Sequence, residues 1–367
     1  VYESLLPEGN LRIAVCYCGD SNDPAAFSGL PFGLTNALAE CGHTVLRVNT
    51  ALPGALGRRT DIPRIHPQVC VLQSRLARAA LARLEYDALV QIGSEFTVKT
   101  SRPIVTYDDM TVVQHVRHND DWFSTYPRRA QEAWRKRQAW VFANADRCCT
   151  LSTWAGNSII EDYGQPAEKV RVIGLGGNHI IERPVDRDWS RPRYLIIAKN
   201  WRRKNVALVI ETFSKLRDVC PDATLDVVGP YDLTAPPGVT LHGDRDLRIP
   251  ADRQTIETLL CTATCYVMPS THEASALVFV EAGSAGIPSI GTTIGGVRDL
   301  IGPGGAIVDP TDAAALLAEM VRMADPSEAR RLGALAAEHA RWFTWAATAQ
   351  RLVEVIEEIP GRLVVDR

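Results

Sequence analysis

Short apolar runs of strand length alternate with helical patterns over nearly the whole chain, and this alternation leaves few folds open. Leu11–Tyr17, Thr44–Asn49, Asp87–Ile92, Pro103–Tyr107, Arg147–Leu151 and Val170–Ile173 read as strands. Segments with apolar residues at helical spacing lie between them. Uninterrupted apolar strands separated by helices indicate a parallel sheet covered on both faces. The alternation stops at Gly176-Gly177-Asn178 and a polar stretch runs to Arg193, which is expected to link two domains. It restarts at Tyr194–Ala198 and ends with a helix over 345–359. The expected organisation is an α/β chain of two doubly wound, Rossmann-like domains facing a central cleft. One covers 1–180 and is completed by a C-terminal helix over 346–367; the other covers 181–345.

Length and composition fit this plan. A chain of 367 residues holds two domains. No run of about 18 apolar residues could span a membrane. The net charge of −3, from 40 basic and 43 acidic side chains, excludes a globally basic nucleic-acid binder but not a local basic site. The nine cysteines are odd in number, scattered and without zinc-finger spacing. They read as buried free thiols. The chain opens Val1-Tyr2-Glu3-Ser4, with neither a basic nor an apolar leader, so a reduced, cytoplasmic protein is expected.

Ligands of doubly wound sheets bind beyond the carboxyl ends of the strands, so residues there carry the functional argument. After the first strand come Asp20, Ser21 and Asn22, then Gly29 and Gly33 at a helix entry. Free N–H groups and the positive helix end suit a phosphate, although a plain tight turn would look the same. The spacing is not the dinucleotide fingerprint, and Asn49 stands where its acidic residue is expected, which disfavours a nicotinamide dehydrogenase. After the first strand of the second domain, Lys199, Arg202, Arg203 and Lys204 place four cations in six residues, in a chain with only six lysines. A solvated basic loop is the alternative. The position at a strand end favours an anion as densely charged as diphosphate.

Further on, Glu273 and Glu281 flank the apolar run Leu277-Val278-Phe279-Val280. Eight helical steps of roughly 1.5 Å separate them by up to ~12 Å. That exceeds the about 5–5.5 Å or 6.5–9.5 Å of glycosidase carboxylate pairs. Two carboxylates accepting hydroxyls from opposite ends of a nucleotide sugar fit better. The N–H groups of Ser275, Ala276 and Leu277 lie at the helix start between them and face an anion. A buried glutamate capping a loop is the competing reading of Glu281.

These residues resemble a known family. Glu273 to Glu281, Ala282, Gly286-Ile287-Pro288 and Gly295-Gly296 are similar to the Glu-x7-Glu signature of family 4 of the retaining GT-B glycosyltransferases. Asn200 to Asn205 resembles that family's basic loop. Ser152 to Asn178 resembles the end of its first domain, and Phe343-Thr344-Trp345 the entry to its last helix. The resemblance implies transfer of a sugar from a nucleotide-diphosphate sugar to a hydroxyl acceptor (a glycan, glycolipid or natural-product aglycone), with retained configuration and without a metal. It implies that Lys204 and a second cation, Lys199 or Arg203, bind diphosphate. It further implies that Glu273 holds donor-sugar hydroxyls and Glu281 the ribose.

Two departures stand out. Ser275-Ala276 replaces the family's Phe-Gly, and Asp108 stands where a histidine is usual, followed by Asp109. Either aspartate is expected to orient donor or acceptor in a front-face displacement. His115 and His118 lie nearby, with a structural or surface role expected. For the acceptor, Asp120, Asp121, Trp122, Phe123 and Tyr126 combine rings and carboxylates as sugar sites do. The basic helix carrying Arg128, Arg129, Arg135, Lys136 and Arg137 is expected to be a solvated face, with peripheral membrane contact the less favoured role. The readings carried alongside are a nucleotide-sugar epimerase or phosphorylase of the same fold, and a non-catalytic two-lobed sensor.

Overall fold

The computed structural model describes residues 9–50, 67–118, 121–181, 185–231 and 233–360. The chain divides into two compact units, Val1–Gly176 with Trp345–Arg367 and Gly177–Thr344. The division thus falls four residues before the boundary expected from sequence. The final helix belongs to the first unit.

In the first unit the order is β1 (Arg12–Tyr17), α1 (Leu30–Glu40), β2 (Thr44–Asn49), α2 (Pro67–Leu81), β3 (Ala88–Ile92) and β4 (Ile104–Asp108). There follow α3 (Val112–Arg117), α4 (Asp121–Ser124), α5 (Arg128–Asn144), β5 (Arg147–Thr150), α6 (Thr153–Glu161) and β6 (Val170–Val172). The strands form a six-stranded sheet in the order β2-β1-β3-β4-β5-β6, and every pairing is parallel. The strand order reverses between β1 and β3, which places a ligand-binding crevice at their carboxyl ends. Strands β3 and β4 are buried along their whole length, as two-sided coverage requires.

The second unit runs β7 (Arg193–Ile197), α7 (Val206–Leu216), β8 (Thr224–Val228), β9 (Val239–Leu241), α8 (Pro250–Thr262), β10 (Cys265–Val267), α9 (Leu277–Ser284) and β11 (Ser289–Thr292). It closes with α10 (Val297–Ile301), β12 (Gly305–Val308), α11 (Ala313–Met323) and α12 (Pro326–Ala340). Its sheet order is β12-β11-β10-β7-β8-β9, again parallel throughout. This is the doubly wound Rossmann order, with its reversal between β7 and β10. The basic segment follows β7 and the Glu273 segment follows β10, so both stand at the switch point.

The polar stretch after Gly176 is less of a linker than its composition indicates. Arg187 is buried, and its guanidinium donates to the carbonyls of Leu260, Ala285 and Gly286 at 3.0, 2.8 and 3.1 Å. Leu260 lies near the end of α8, and the other two follow α9. One cation thus satisfies the negative ends of two helices. Burial lowers its pKa to about 10, which leaves it charged at neutral pH.

The last helix, α13 (Trp345–Glu357), packs on α1 in the first unit. Its first residue explains one of the glycines singled out in the sequence. A Cβ at Gly33 would sit 2.2 Å from Trp345 Cε2, and one at Gly176 2.3 Å from Trp345 Cγ. Gly33 lies inside α1, and the indole of Trp345 occupies the space a side chain would need. Gly33→Ala should therefore destabilise the chain by about 1–3 kcal/mol through overpacking. Denaturant unfolding of the two proteins checks this; equal midpoints would show that the helix pair shifts without loss.

Candidate functional site

The loop from Lys199 to Asn205 has its shape set by its own last residue. Asn205 takes a left-handed backbone (φ +57) and stands before α7. Asparagine tolerates that conformation better than most residues. Its amide donates to the carbonyls of Pro269 at 3.1 Å and Pro310 at 2.8 Å, which pins the loop beside the ends of β10 and β12. The amide N–H of Thr271 donates to the Arg203 carbonyl at 2.8 Å, and Asn200 Oδ1 accepts from the Arg203 N–H at 2.9 Å. The two strand-end segments are thus stitched together by backbone as well as by side chains.

Glu273 is fixed from its other side. Its N–H donates to the Ile294 carbonyl at 3.1 Å, and its carbonyl accepts from the Gly296 N–H at 3.0 Å. Gly295, at φ +116, lies against it so closely that a Cβ there would come 1.8 Å from the Glu273 carbonyl oxygen. With its backbone held, the carboxylate points at the basic loop. Arg203 Nη1 reaches Glu273 Oε2 at 2.7 Å, and Lys204 Nζ bonds the same oxygen. Only 8% of the Glu273 side chain and 12% of the Lys204 side chain are exposed. Burial pushes the Glu273 pKa up, but the two cations outweigh it and hold the carboxylate ionised, below its ordinary range. Burial lowers the Lys204 pKa, with Glu273 opposing and Arg203 adding to the effect.

The other predicted residues divide clearly. Of the two candidates for the second cation, Arg203 joins Lys204 on Glu273. Lys199 instead points to exposed Asp244 at 3.6 Å and is 71% exposed. Arg202 is exposed as well. Helix α9 begins at Leu277 with Ala276 at its N-cap, so the side chain cannot cap and the first N–H groups stay available. Glu281 is buried in α9 and accepts the backbone N–H groups of Asn178 and His179, so it caps a turn in this structure. Burial dominates and raises its pKa to about 7.

In the first unit, Gly29 (φ +82) is the N-cap of α1, and non-glycine Phe27 and Ser28 before it are also left-handed. Such strain gathers where a loop is built for function. Asn49 Oδ1 accepts from both the N–H and the hydroxyl of Ser21, tying the loop after β1 to the end of β2. Asp108 ends β4 and is 5% exposed, and its Oδ2 has no hydrogen-bond partner among the described residues. Burial, then Asp109 and Glu95, push its pKa well above the carboxylate range, toward the protonated acid.

The expected aromatic acceptor surface is largely core. Phe123 is buried with Val112 and Trp134, and Tyr126 packs on that cluster. His115 stacks on Phe123 with ring centroids 5.1 Å apart. Asp120 and the side chains of Asp121 and Trp122 lie outside the described residues. On the basic helix α5, Glu132 pairs with Arg135 at 2.8 Å and Lys136 at 3.7 Å, as on an ordinary solvated face. Among the described residues, no group of three or more His, Cys, Asp or Glu is placed to hold a metal ion. No described helix is long and apolar enough to cross a membrane.

Residues 191–325, most of the second unit, match the family described as Glycosyl transferases group 1. Over that segment the chain is similar to the group 1 glycosyl transferases, and as a whole it has the GT-B fold. It is 28% identical over 242 residues to D-inositol 3-phosphate glycosyltransferase 1 of Catenulispora acidiphila, covering 59% of this chain and 58% of that one. It is 26% identical over 324 residues to the MMP alpha-(1->4)-mannosyltransferase of Mycolicibacterium hassiacum, covering 84% and 73%. The chain thus spans less than two thirds of the first of these relatives. Among solved structures, sucrose-phosphate synthase from Thermosynechococcus elongatus has a TM-score of 0.67 at 20% identity, over 95% of this chain and 99% of that chain. HepE of Anabaena, solved with UDP and glucose, has a TM-score of 0.60 at 14% identity over 95% and 100%.

Two residues at these strand ends, one in each unit, were not singled out in the sequence reading. Asn205 carried a signal, since an asparagine directly before a helix is a natural left-handed position. Glu95 follows the end of β3 and acts electrostatically on Asp108; its place just past a strand end was the available clue.

Glu281 yields a test by titration. Its folded pKa of about 7 lies above the ordinary 4.5, so the native state binds the proton more tightly. Its contribution to stability is present below pH 4.5 and is lost as pH rises through 7. Glu281→Gln should remove that loss. The unfolding free energy of the variant relative to the native sequence should rise by about 2–3 kcal/mol between pH 5 and pH 8. A difference flat with pH would show that Glu281 ionises normally.

Proposed function

We propose that the chain is a retaining glycosyltransferase that moves a sugar from a nucleotide-diphosphate sugar to a hydroxyl acceptor. The observation that carries this is the set of Lys204 and Arg203 on the buried carboxylate of Glu273 at the carboxyl ends of β7 and β10, the switch point of a Rossmann-type sheet. Two cations suit the diphosphate, and a carboxylate beside them suits sugar hydroxyls. Glu281 accepts the ribose hydroxyls, and the α9 N–H groups from Ser275 to Leu277 face an anion. The HepE structure, titled as a complex with UDP and glucose, supports a donor of this class.

In the reaction the bond between the anomeric carbon and the diphosphate oxygen breaks. Negative charge builds on the leaving oxygens, where Lys204 and Arg203 are already in place to stabilise it. The acceptor oxygen bonds the anomeric carbon on the same face, and its proton passes to the leaving phosphate oxygen. Side-chain cations do here what a divalent ion does elsewhere, so the reaction is proposed to be metal-independent. Asp108 and Asp109, at the end of β4, orient acceptor or donor hydroxyls without acting as nucleophiles. The acceptor is assigned to the first unit. A reducing, cytoplasmic setting belongs to the same proposal.

A thermal-shift screen of UDP, GDP, ADP and TDP should raise the midpoint with at least one nucleotide. With the matching sugar donor, Lys204→Met should lower kcat/KM by about 100- to 1,000-fold, the scale for losing one charge-stabilising donor. EDTA should leave turnover unchanged, and the product should keep the donor's anomeric configuration by NMR. Nucleotide binding without turnover on any acceptor would favour a sensor instead.

A further inference from the structure

We propose that Glu273 is an internal competitor of the donor's diphosphate, and that it makes the site favour the sugar nucleotide over the nucleoside diphosphate left after transfer. The proposal rests on the reading of Lys204 and Arg203 as diphosphate ligands. Both cations bond the same oxygen, Glu273 Oε2, and Glu273 is 6% exposed. Both cations are therefore already engaged by a carboxylate of the chain itself, which offsets part of their charge.

Each cation keeps further N–H donors, but a diphosphate that gathers both of them draws them away from that carboxylate. Once displaced, Glu273 is a buried anion that has lost its counter-charges, and such a group is strongly unfavourable unless new donors reach it. Its backbone is held by Ile294 and Gly296, so it cannot swing out to water with its loop. The donor sugar supplies what is missing, because its hydroxyls can donate to the released carboxylate. A nucleoside diphosphate brings at least as much negative charge and no donor-sugar hydroxyls. It meets an unpaired carboxylate beside its phosphates, and discrimination arises from what the wrong ligand leaves unsatisfied. After transfer the hydroxyls leave with the product. Glu273 then returns to Lys204 and Arg203 and helps expel the nucleotide.

The experiment uses the whole chain and whichever of UDP, GDP, ADP or TDP raises its midpoint most. Isothermal titration with that nucleoside diphosphate should give a Kd about tenfold lower for Glu273→Gln than for the native sequence. The Kd for the matching sugar nucleotide should fall less or rise, so the preference for donor over product shrinks. In a Lys204→Met background the same Glu273→Gln change should give a smaller gain, because only Arg203 is left to contest; an equal gain overturns the competition. An unchanged or weaker affinity of Glu273→Gln for the nucleoside diphosphate overturns the competition while leaving the diphosphate reading intact. Binding of no nucleotide to either protein overturns the diphosphate reading and the competition together. If Glu273→Gln lacks a cooperative melt, Glu273→Asp takes its place. It draws the charge back by one methylene and should show the same direction with a smaller gain; no gain overturns the competition.

Discussion

Glu273 keeps its charge inside the protein only because two cations reach it from the neighbouring strand end. That single pairing depends on the whole second unit. It needs β7 and β10 to be adjacent, which only the reversal of strand order provides. It needs Asn205 in its left-handed turn, so that Arg203 and Lys204 face the end of β10. It needs Gly295, where any side chain would collide with the Glu273 backbone. A buried ion pair is weak evidence for stability, because desolvation offsets much of the attraction. Its retention at a switch point is better explained by binding, where charges held ready are worth most.

The two units share one plan and differ in the chemistry at their strand ends. In the second, β7 is followed by cations. In the first, β3 and β4 are followed by Glu95, Asp108 and Asp109, close enough for each of the other two to raise the Asp108 pKa. The first unit adds the strained Phe27–Gly29 turn before α1. Both sets lie where doubly wound sheets bind ligands.

The fold was legible because a parallel sheet buried on both faces needs uninterrupted apolar strands, and β1, β3, β4, β7 and β10 all show them. Half-buried or short elements were not: β9 has three residues and a mixed pattern, and α8 begins Pro250-Ala251-Asp252-Arg253, with little apolar periodicity. Local composition misled where burial was decided elsewhere. Arg187 looked like part of a polar linker, yet the ends of α8 and α9 offer it three carbonyls that no other group satisfies among the described contacts. Gly33 looked like part of a phosphate turn, and the reason for its missing side chain, Trp345, lies more than three hundred residues away in the chain. Lys204 and Glu273, which the structure brings together, stood out by type and position, whereas Glu281 caps a turn. The choice of Arg203 over Lys199 was not legible, since it depends on which face of the loop Asn205 turns toward β10.

Asp108 shows how far burial and neighbouring charge can alter what one strand-end side chain offers. A histidine there would offer one donor and one acceptor in its neutral form. A carboxylate offers only acceptors, but a carboxylic acid offers a donor as well. Burial and two neighbouring acids push Asp108 toward the protonated form. The acid therefore reproduces the hydrogen-bonding pattern of a neutral imidazole in a smaller volume. Its Oδ2, without a partner among the described residues, is the atom such a bond would use. The cluster of acids that looks repulsive is what lets this side chain donate as well as accept, because without Asp109 and Glu95 nearby the proton would be held less firmly.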